Sequence, residues 1–170
     1  MLKLSVIVED SIVDCPGIRV TVFCQGCPQH CPGCHNPETW PFEGGTEIAE
    51  ETVVSIVASN PLCRGVTFSG GEPFAQAEGY AKLAKLLKEK GYEVASYSGY
   101  TFEQLLRGTP AQKELLENID ILIDGPFILA EKSLEVPFRG SRNQRILNVP
   151  ASLSSGQAVP VTGGRWLGEY

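Results

Sequence analysis

The chain has 170 residues, of which 42% are hydrophobic and 20% charged, and its formal net charge is −6. This length predicts a single domain, residues 1–170, around one core. No apolar run reaches the ~18 residues of a membrane span, and an acidic chain with scattered Lys and Arg is not expected to bind nucleic acid. The N-terminal run MLKLSVIVED is broken by Glu9 and Asp10, unlike a secretory signal, so we expect a cytoplasmic protein with reduced cysteines.

Strand-like and helix-like patterns alternate along the chain. Period-2 alternation predicts a first strand over about residues 17–24. Thr46 is a candidate N-cap for a helix that extends to about Ser59. The remaining predicted elements are a strand over 65–69 ending in two glycines, a helix over about 74–90, a strand over 92–97, one or two short helices over 101–117, a strand over 119–123, and a loop or tail from about Pro150.

This repetition of strand and helix predicts an α/β fold of mostly parallel strands with helices outside. A full eight-unit barrel takes about 250 residues, and only about four or five units fit here, so we expect an open partial (βα) barrel. Active sites of such folds lie at the carboxyl ends of the strands. The segments that follow the first and second predicted strands should therefore meet at one rim, and the open side would admit part of a macromolecule.

Three cysteines follow the first predicted strand. Cys27, Cys31 and Cys34 lie in the run Cys-Pro-Gln-His-Cys-Pro-Gly-Cys. Thiolates favour zinc, copper(I) or iron–sulfur clusters, and a 4Fe-4S cluster held by three cysteines leaves one iron open to a small molecule. A structural zinc site normally uses two separated ligand pairs, and no second pair follows in this sequence. The spacing therefore favours a 4Fe-4S cluster over zinc.

Other side chains near this run are candidates for a fourth ligand. His30 lies within the run and His35 directly after it. Cys24 would complete a four-cysteine set, as in an electron-carrying ferredoxin, but its place in the alternating strand pattern predicts a small buried side chain. Cys15 and Cys63 are lone thiols without ligand spacing, and we assign them no function.

A second motif, Ser69-Gly70-Gly71-Glu72-Pro73, follows the second predicted strand. Adjacent glycines let backbone groups approach a ligand closely, and Glu72 offers an acceptor for an ammonium group or a ribose hydroxyl. A tight turn into the next helix, with Glu72 near the helix N-terminus, accounts for the same residues without a ligand. The motif is not a dinucleotide fingerprint, because the G-x-G-x-x-G order is missing.

Two later features are further candidates. Asp124 ends a predicted strand on the same rim, where it could touch a ligand or a cation, or could cap a helix or turn. Arg139, Arg142 and Arg145 lie in one loop. They could dock a partner or bind an anionic group, although a solvated loop is the usual explanation of such a charged run.

The cysteine run and the SGGEP motif together resemble the radical S-adenosylmethionine superfamily. Further stretches resemble one branch of it, the activating proteins of anaerobic (class III) ribonucleoside-triphosphate reductases. These stretches span about residues 10–149 and are Asp14-Cys-Pro-Gly-Ile-Arg19, Gln25-Gly-Cys-Pro, Cys34-His-Asn-Pro-Glu-Thr-Trp40, Tyr97-Ser-Gly-Tyr-Thr-Phe102, Leu122-Ile-Asp-Gly-Pro-Phe127 and Phe138-Arg-Gly-Ser-Arg-Asn-Gln-Arg-Ile146.

The resemblance implies a glycyl-radical-activating enzyme with a 4Fe-4S cluster and S-adenosylmethionine as cofactors. An electron from a reduced flavodoxin or a similar donor would cleave S-adenosylmethionine, and the 5′-deoxyadenosyl radical would take a hydrogen from a glycine of the reductase. The chain has Gly33 where many superfamily members carry an aromatic residue, so the adenine would be held mainly by backbone or by other residues. The implied cluster ligands are Cys27, Cys31 and Cys34, and the implied S-adenosylmethionine contacts are Gly33, Cys34, His35, Ser69, Gly70, Gly71, Glu72 and Asp124.

Two alternatives stay open. The chain could be a radical enzyme that acts on another glycyl-radical enzyme or on a small molecule. It could also be an iron–sulfur electron carrier, which would require Cys24 as a fourth ligand.

Overall fold

The computed structural model describes residues 1–11, 16–34 and 36–167. Within these residues, seven strands form one sheet, five α-helices follow or flank them, and short 3-10 helices complete the connections. The strands are β1 (Leu2–Ser11), β2 (Arg19–Cys24), β3 (Thr46–Ile48), β4 (Gly65–Gly70), β5 (Glu93–Tyr97), β6 (Ile121–Asp124) and β7 (Arg145–Asn148). The helices are α1 (Glu50–Ala58), α2 (Ala77–Glu89), α3 (Phe102–Leu106), α4 (Pro110–Glu117) and α5 (Val149–Ser155), and the 3-10 helices are Pro37–Thr39, Pro73–Gln76, Leu129–Glu131 and Gly164–Leu167.

The sheet has the strand order β3-β1-β2-β4-β5-β6-β7. Strands β2, β4, β5 and β6 run parallel to one another, so their carboxyl ends all point to one edge. Strand β1 is antiparallel to both of its neighbours, and β7 is antiparallel to β6. The predicted α/β class with a parallel centre is therefore confirmed, with antiparallel strands added at both sides.

The main core lies between the sheet and its helices. Apolar residues of β2, β4 and β5 pack there against the buried faces of α1, α2 and α4. In α2 the residues at i, i+3, i+4 and i+7 lie on one face of the helix and are fully buried; they are Tyr80, Leu83, Ala84 and Leu87. Gly91 follows the helix with φ +88°, a left-handed conformation that suits the predicted glycine stop.

A second, smaller core covers the opposite face of the sheet. Side chains alternate between the faces, so Leu122 joins the main core whereas Ile121 and Ile123 point to the other side. The C-terminal segment crosses this second face and buries Val161 and Trp166 against it. Val161 and Trp166 thereby complete the second core.

Two predictions about local elements are wrong. Thr46 does not cap a helix, because Thr46–Ile48 pairs with β1 as an edge strand and α1 begins only at Glu50. The stretch from Pro150 is not simply a tail: Asn148 caps α5 by accepting the backbone N–H of Ala151, with Pro150 in the first turn. Strands β1 and β7 had no predicted counterpart.

Among the described residues, no helix combines the length and apolar character needed to cross a bilayer.

An ion pair between buried Arg19 and half-buried Glu93 joins the parallel strands to the C-terminal segment. Arg19 is 1% exposed, and its guanidinium donates to Thr67 Oγ1 at 3.0 Å and to Glu93 Oε1 at 2.8 Å. The guanidinium carbon lies 5.6 Å from the ring centroid of Trp166. Arg165 donates to the other oxygen of Glu93 at 2.6 Å. Glu93 is thus the counter-ion of a charge that water does not reach.

We expect Glu93→Ala to lower the free energy of unfolding by about 3 kcal/mol, because it leaves the Arg19 charge buried without a counter-ion. The matched control is Glu51→Ala, whose exposed carboxylate pairs with Lys82 at 2.8 Å and whose loss should destabilise the fold much less. Urea unfolding under anaerobic conditions measures both. Equal losses in the two variants would contradict this account.

Candidate active site

A cavity of about 110 Å³ lies at the carboxyl edge of the parallel strands. Cys27, Cys31 and Cys34 line it from the segment after β2, and Gly70, Gly71 and Glu72 line it from the end of β4. The prediction that the two motifs meet at one rim is confirmed. A wider cavity of about 620 Å³ shares Cys34 and Gly70 with the first and opens past a largely apolar wall that includes Phe127, Leu134 and Phe138.

Backbone hydrogen bonds hold both ends of the cysteine segment, residues 27–34. Cys27 donates its N–H to the carbonyl of Trp40 at 3.0 Å, and Cys34 donates to the carbonyl of Cys31 at 3.0 Å. The Cys34 sulfur accepts the backbone N–H of Asn36 at 3.4 Å. The Cys27 sulfur accepts backbone N–H groups from within its own loop, while burial raises the pKa of its thiol.

The donor set fits a 4Fe-4S cluster. The three thiols are free, half-buried and arranged around one cavity, and soft thiolate donors are what iron–sulfur clusters use. At Cys27, backbone N–H groups favour the deprotonated form that a ligand must adopt and so oppose the effect of burial on its pKa. At Cys34, the N–H of Asn36 is directed at the sulfur. Among the residues that the structure describes, no three His, Cys, Asp or Glu side chains converge closely enough to hold a single metal ion.

The glycine pair is required by close backbone packing. A Cβ on Gly70 would lie 2.5 Å from the backbone N of Cys24, and one on Gly71 would lie 2.3 Å from the carbonyl oxygen of Gly26. Gly71 donates its N–H to the Cys24 carbonyl at 2.8 Å, and Glu72 donates to the Gly26 carbonyl at 2.9 Å. The end of β4 is therefore clamped to the start of the cysteine segment.

Glu72 is a buried carboxylate that accepts four hydrogen bonds. It is 1% exposed. Its Oε1 accepts from Gln29 Nε2 at 3.0 Å and from the Gly99 N–H at 2.7 Å, and its Oε2 accepts from Ser98 Oγ at 3.0 Å and from the Phe74 N–H at 3.1 Å. Burial raises the pKa of Glu72 to about 7, although these donors favour the charged form. The bond from Phe74 is the helix-capping role that the sequence left open.

Other predicted contact residues lie at different distances from the cavity. Ser69 is 8% exposed and lines the wider cavity. Gly33 is exposed at φ +75°, and a Cβ there would lie 2.8 Å from Leu129 Cδ1. His35, like Cys15, lies outside the described residues.

The structure does not bring Asp124 into the lining of either cavity. Its buried carboxylate accepts the backbone N–H of Phe102 at 2.7 Å, at the start of α3, and the Nε–H of Arg145 at 2.9 Å. This is the capping alternative that the sequence left open, joined to an ion pair. Arg145 also binds Glu103, and the two carboxylates raise the pKa of its guanidinium.

The three arginines of the late loop have three different surroundings. Arg145 is committed to the ion pairs just described. Arg142 is exposed and pairs with Glu135 at 3.2 Å on the surface. Arg139 lines the wider cavity and donates to the carbonyls of Pro137 and Gln144. The run is therefore not one continuous cationic surface.

Cys24, His30 and Cys63 lie outside the lining of both cavities. Cys24 is 0% exposed, its sulfur accepts from Gln76 Nε2 at 3.1 Å, and burial raises its pKa to about 12. The prediction that Cys24 is a buried strand residue is confirmed. His30 stacks on Trp40 with ring centroids 4.8 Å apart. Cys63 donates its S–H to the Gly65 carbonyl at 3.1 Å.

Sequence reasoning missed the partners of Glu72. Gln29 lies inside the cysteine run, where no local pattern gives it a role. Ser98 and Gly99 belong to the Tyr97-Ser-Gly-Tyr stretch, to which the sequence analysis assigns no role. That short polar and glycine pair directly after a strand was the available signal.

Comparisons with known proteins agree with this site. The family model described as "4Fe-4S single cluster domain" matches residues 13–147. The anaerobic ribonucleoside-triphosphate reductase-activating proteins of Vibrio cholerae and Escherichia coli K12 are 34% and 31% identical over 143 and 141 residues, covering 79% and 78% of this chain and 90% of each relative.

Two further similarities are partial. Pyruvate formate-lyase-activating enzyme of Clostridium pasteurianum is 42% identical over 107 residues, which cover 58% of this chain; the chain spans 45% of the length of that relative. The crystal structure of QueE from Escherichia coli matches with a TM-score of 0.45 and 18% identity, covering 59% of this chain and 53% of that one, and no argument rests on it.

We expect Gly71→Ala to reduce cluster content after anaerobic reconstitution about tenfold, because the added methyl group would displace the backbone at the start of the cysteine segment. Gly163→Ala is the matched control, since a Cβ there would meet nothing within 4 Å. Iron and sulfide analysis with the visible absorbance spectrum measures the effect. Full cluster content in the Gly71 variant would show that this packing is not needed.

Proposed function

The chain belongs to the family of anaerobic ribonucleoside-triphosphate reductase-activating proteins, and we propose that it generates a glycyl radical on such a reductase. The observation that supports this best is the meeting of the CxxxCxxC cysteines and the Gly70-Gly71 pair around one cavity. The first motif suits a 4Fe-4S cluster with an open iron, and the second suits close approach of a ligand to backbone.

The roles follow from the position of each residue. When bound, the 4Fe-4S cluster supplies the electron that cleaves the sulfonium C–S bond of S-adenosylmethionine, whose 5′-deoxyadenosyl radical then removes a hydrogen atom from a glycine of the reductase. Cys27, Cys31 and Cys34 hold the cluster. Backbone groups of Ser69, Gly70 and Gly71, in the turn fixed by Glu72, receive the amino end of S-adenosylmethionine.

The wider cavity provides the entrance for the protein substrate. Its apolar wall includes Phe127, Phe138 and Leu134, the last being 91% exposed. Such a wall suits a polypeptide loop and, once covered, excludes water from a carbon radical. We propose that the glycine-bearing loop of the reductase closes this side.

The wider setting is also part of the proposal. Residues 1–170 form one domain whose sheet curves as an open partial (βα) barrel around the site. A reduced flavodoxin or a similar donor supplies the electron in the cytoplasm, and neither nucleic acid nor membrane takes part.

A second protein substrate has one observation in its favour. The 42% identity to pyruvate formate-lyase-activating enzyme over 107 residues exceeds the identity to the reductase-activating relatives. Pyruvate formate-lyase is therefore the alternative target. Coverage favours the reductase, because the match to the Vibrio cholerae relative extends over 90% of that protein.

We expect the reconstituted, reduced protein to convert S-adenosylmethionine to 5′-deoxyadenosine and methionine, and Cys31→Ala to abolish both products. Anaerobic incubation followed by chromatography measures them. Cys63→Ala is the control that should retain activity, because Cys63 does not line the cavity. Absence of products from wild-type protein with a full, reducible cluster would contradict the proposed function.

The same preparation tests the electron-carrier alternative through Cys24. We expect Cys24→Ala to keep its cluster, since the Cys24 sulfur is buried between Gln76 and the core rather than in the cavity lining. Cluster loss confined to a correctly folded Cys24 variant would favour a four-cysteine carrier. Iron content and circular dichroism separate the two outcomes.

The protein substrate is identified by radical transfer. Incubation of the reduced enzyme and S-adenosylmethionine with the anaerobic reductase should give the electron paramagnetic resonance signal of a glycyl radical. A parallel incubation with pyruvate formate-lyase should give none. A radical on pyruvate formate-lyase alone would replace the proposed target by the alternative.

A further inference from the structure

We propose that Gln29 is a positioning residue that fixes the cysteine segment to the S-adenosylmethionine-binding turn through the buried carboxylate of Glu72. The inference rests on the proposed function. It adds to the site a residue that lies between the first two cluster cysteines, Cys27 and Cys31. Gln29 itself contacts neither the cluster nor the reacting atoms. It acts through Cys27 and Glu72.

The first observation is the hydrogen bond from Gln29 Nε2 to Glu72 Oε1 at 3.0 Å. Glu72 is also held by Phe74 from its own turn and by Ser98 and Gly99 from the loop after β5. The carboxylate is therefore fixed to the sheet from two directions before Gln29 reaches it. A donor side chain from the cysteine segment then gains a rigid anchor.

The second observation is the space around the Gln29 amide. A Cβ on Gly99 would lie 2.2 Å from Gln29 Oε1 and 2.3 Å from Nε2. The amide thus lies directly against the Gly99 backbone, and the Gly99 N–H binds the same carboxylate oxygen of Glu72. Any side chain at position 99 would push the Gln29 amide from its place.

The third observation connects Gln29 to a cluster ligand. The backbone N–H of Gln29 donates to the sulfur of Cys27. A side chain that is fixed to Glu72 also fixes the orientation of this N–H. Hydrogen bonds to the cysteine sulfurs help to set iron–sulfur potentials, because they stabilise the added negative charge of the reduced form. One residue therefore links the ligand-binding turn to the electronics of the cluster site.

The test uses the reconstituted holoprotein with Gln29→Met, which keeps side-chain length but removes the amide, and Gly99→Ala, which displaces the amide. At matched cluster content, each variant should bind S-adenosylmethionine about tenfold more weakly than wild type. The midpoint potential of the cluster should move to more negative values. Equilibrium binding and anaerobic redox titration measure the two quantities.

The double variant and a matched glycine variant complete the experiment. The double variant Gln29→Met/Gly99→Ala should bind S-adenosylmethionine no more weakly than Gln29→Met alone. The reason is that both changes remove the same contact, the hydrogen bond from Gln29 to Glu72. Gly108→Ala is the control: a Cβ there would lie 2.2 Å from Gln112 Oε1, an equivalent glycine–glutamine packing outside the cavity lining. It should leave binding and potential unchanged.

Gln29→Met could bind S-adenosylmethionine as tightly as wild type and keep the wild-type cluster potential. If wild-type protein still cleaves S-adenosylmethionine, that result would overturn the inference and leave the proposed function standing. Additive losses in the double variant would also overturn it, since two independent contacts would then be involved. Failure of wild-type holoprotein to bind or cleave S-adenosylmethionine would instead overturn the proposed function, and the inference with it.

Discussion

The buried carboxylate of Glu72 is the constraint on which the site depends. Its four donors come from the cysteine segment, the turn after β4 and the loop after β5, so one side chain joins three stretches that are distant in sequence. Without the carboxylate the two buried donors, Phe74 N–H and Ser98 Oγ, would lack their partner, at about 1–3 kcal/mol for each unsatisfied group. A carboxylate is suited to this place because it accepts at two oxygens from several directions at once.

The glycines and the carboxylate solve one geometric problem together. Gly70 and Gly71 let β4 approach the backbone of residues 24–26 more closely than any side chain allows. Glu72 then holds this contact through the hydrogen bond from its N–H to the Gly26 carbonyl. As a result, the side of the cavity formed by the carboxyl ends of β2, β4 and β5 is held together by hydrogen bonds and close packing. The opposite wall, with exposed Leu134, remains open to a partner. A reaction that creates a radical on another protein requires both properties.

Much of this arrangement could be predicted from local patterns. Alternation of strands and helices orders the parallel strands, and their common direction places the cysteine run and the SGGEP turn on one rim. The period-2 pattern likewise identified Cys24 as a buried side chain. What could not be predicted depends on partners far along the chain: Thr46–Ile48 is a strand only because Leu2–Leu4 lies beside it, and Arg145 is tied by Asp124 and Glu103. The contact from Gln29 to Glu72 is of the same kind, since nothing local distinguishes Gln29 from a spacer.

The C-terminal cover of the sheet has a consequence for the order of assembly. The second core is finished only when Val161 and Trp166 lie on β5, β6 and β7, and Trp166 also lies beside the Arg19–Glu93 ion pair. During synthesis these contacts become available only after residues 161 to 166 have been made, and contacts of such long sequence separation form slowly. The cysteines of the early loop are made long before the sheet that supports them is covered. Maturation should therefore follow the docking of Val161 and Trp166, with iron and sulfide delivered to an already folded domain.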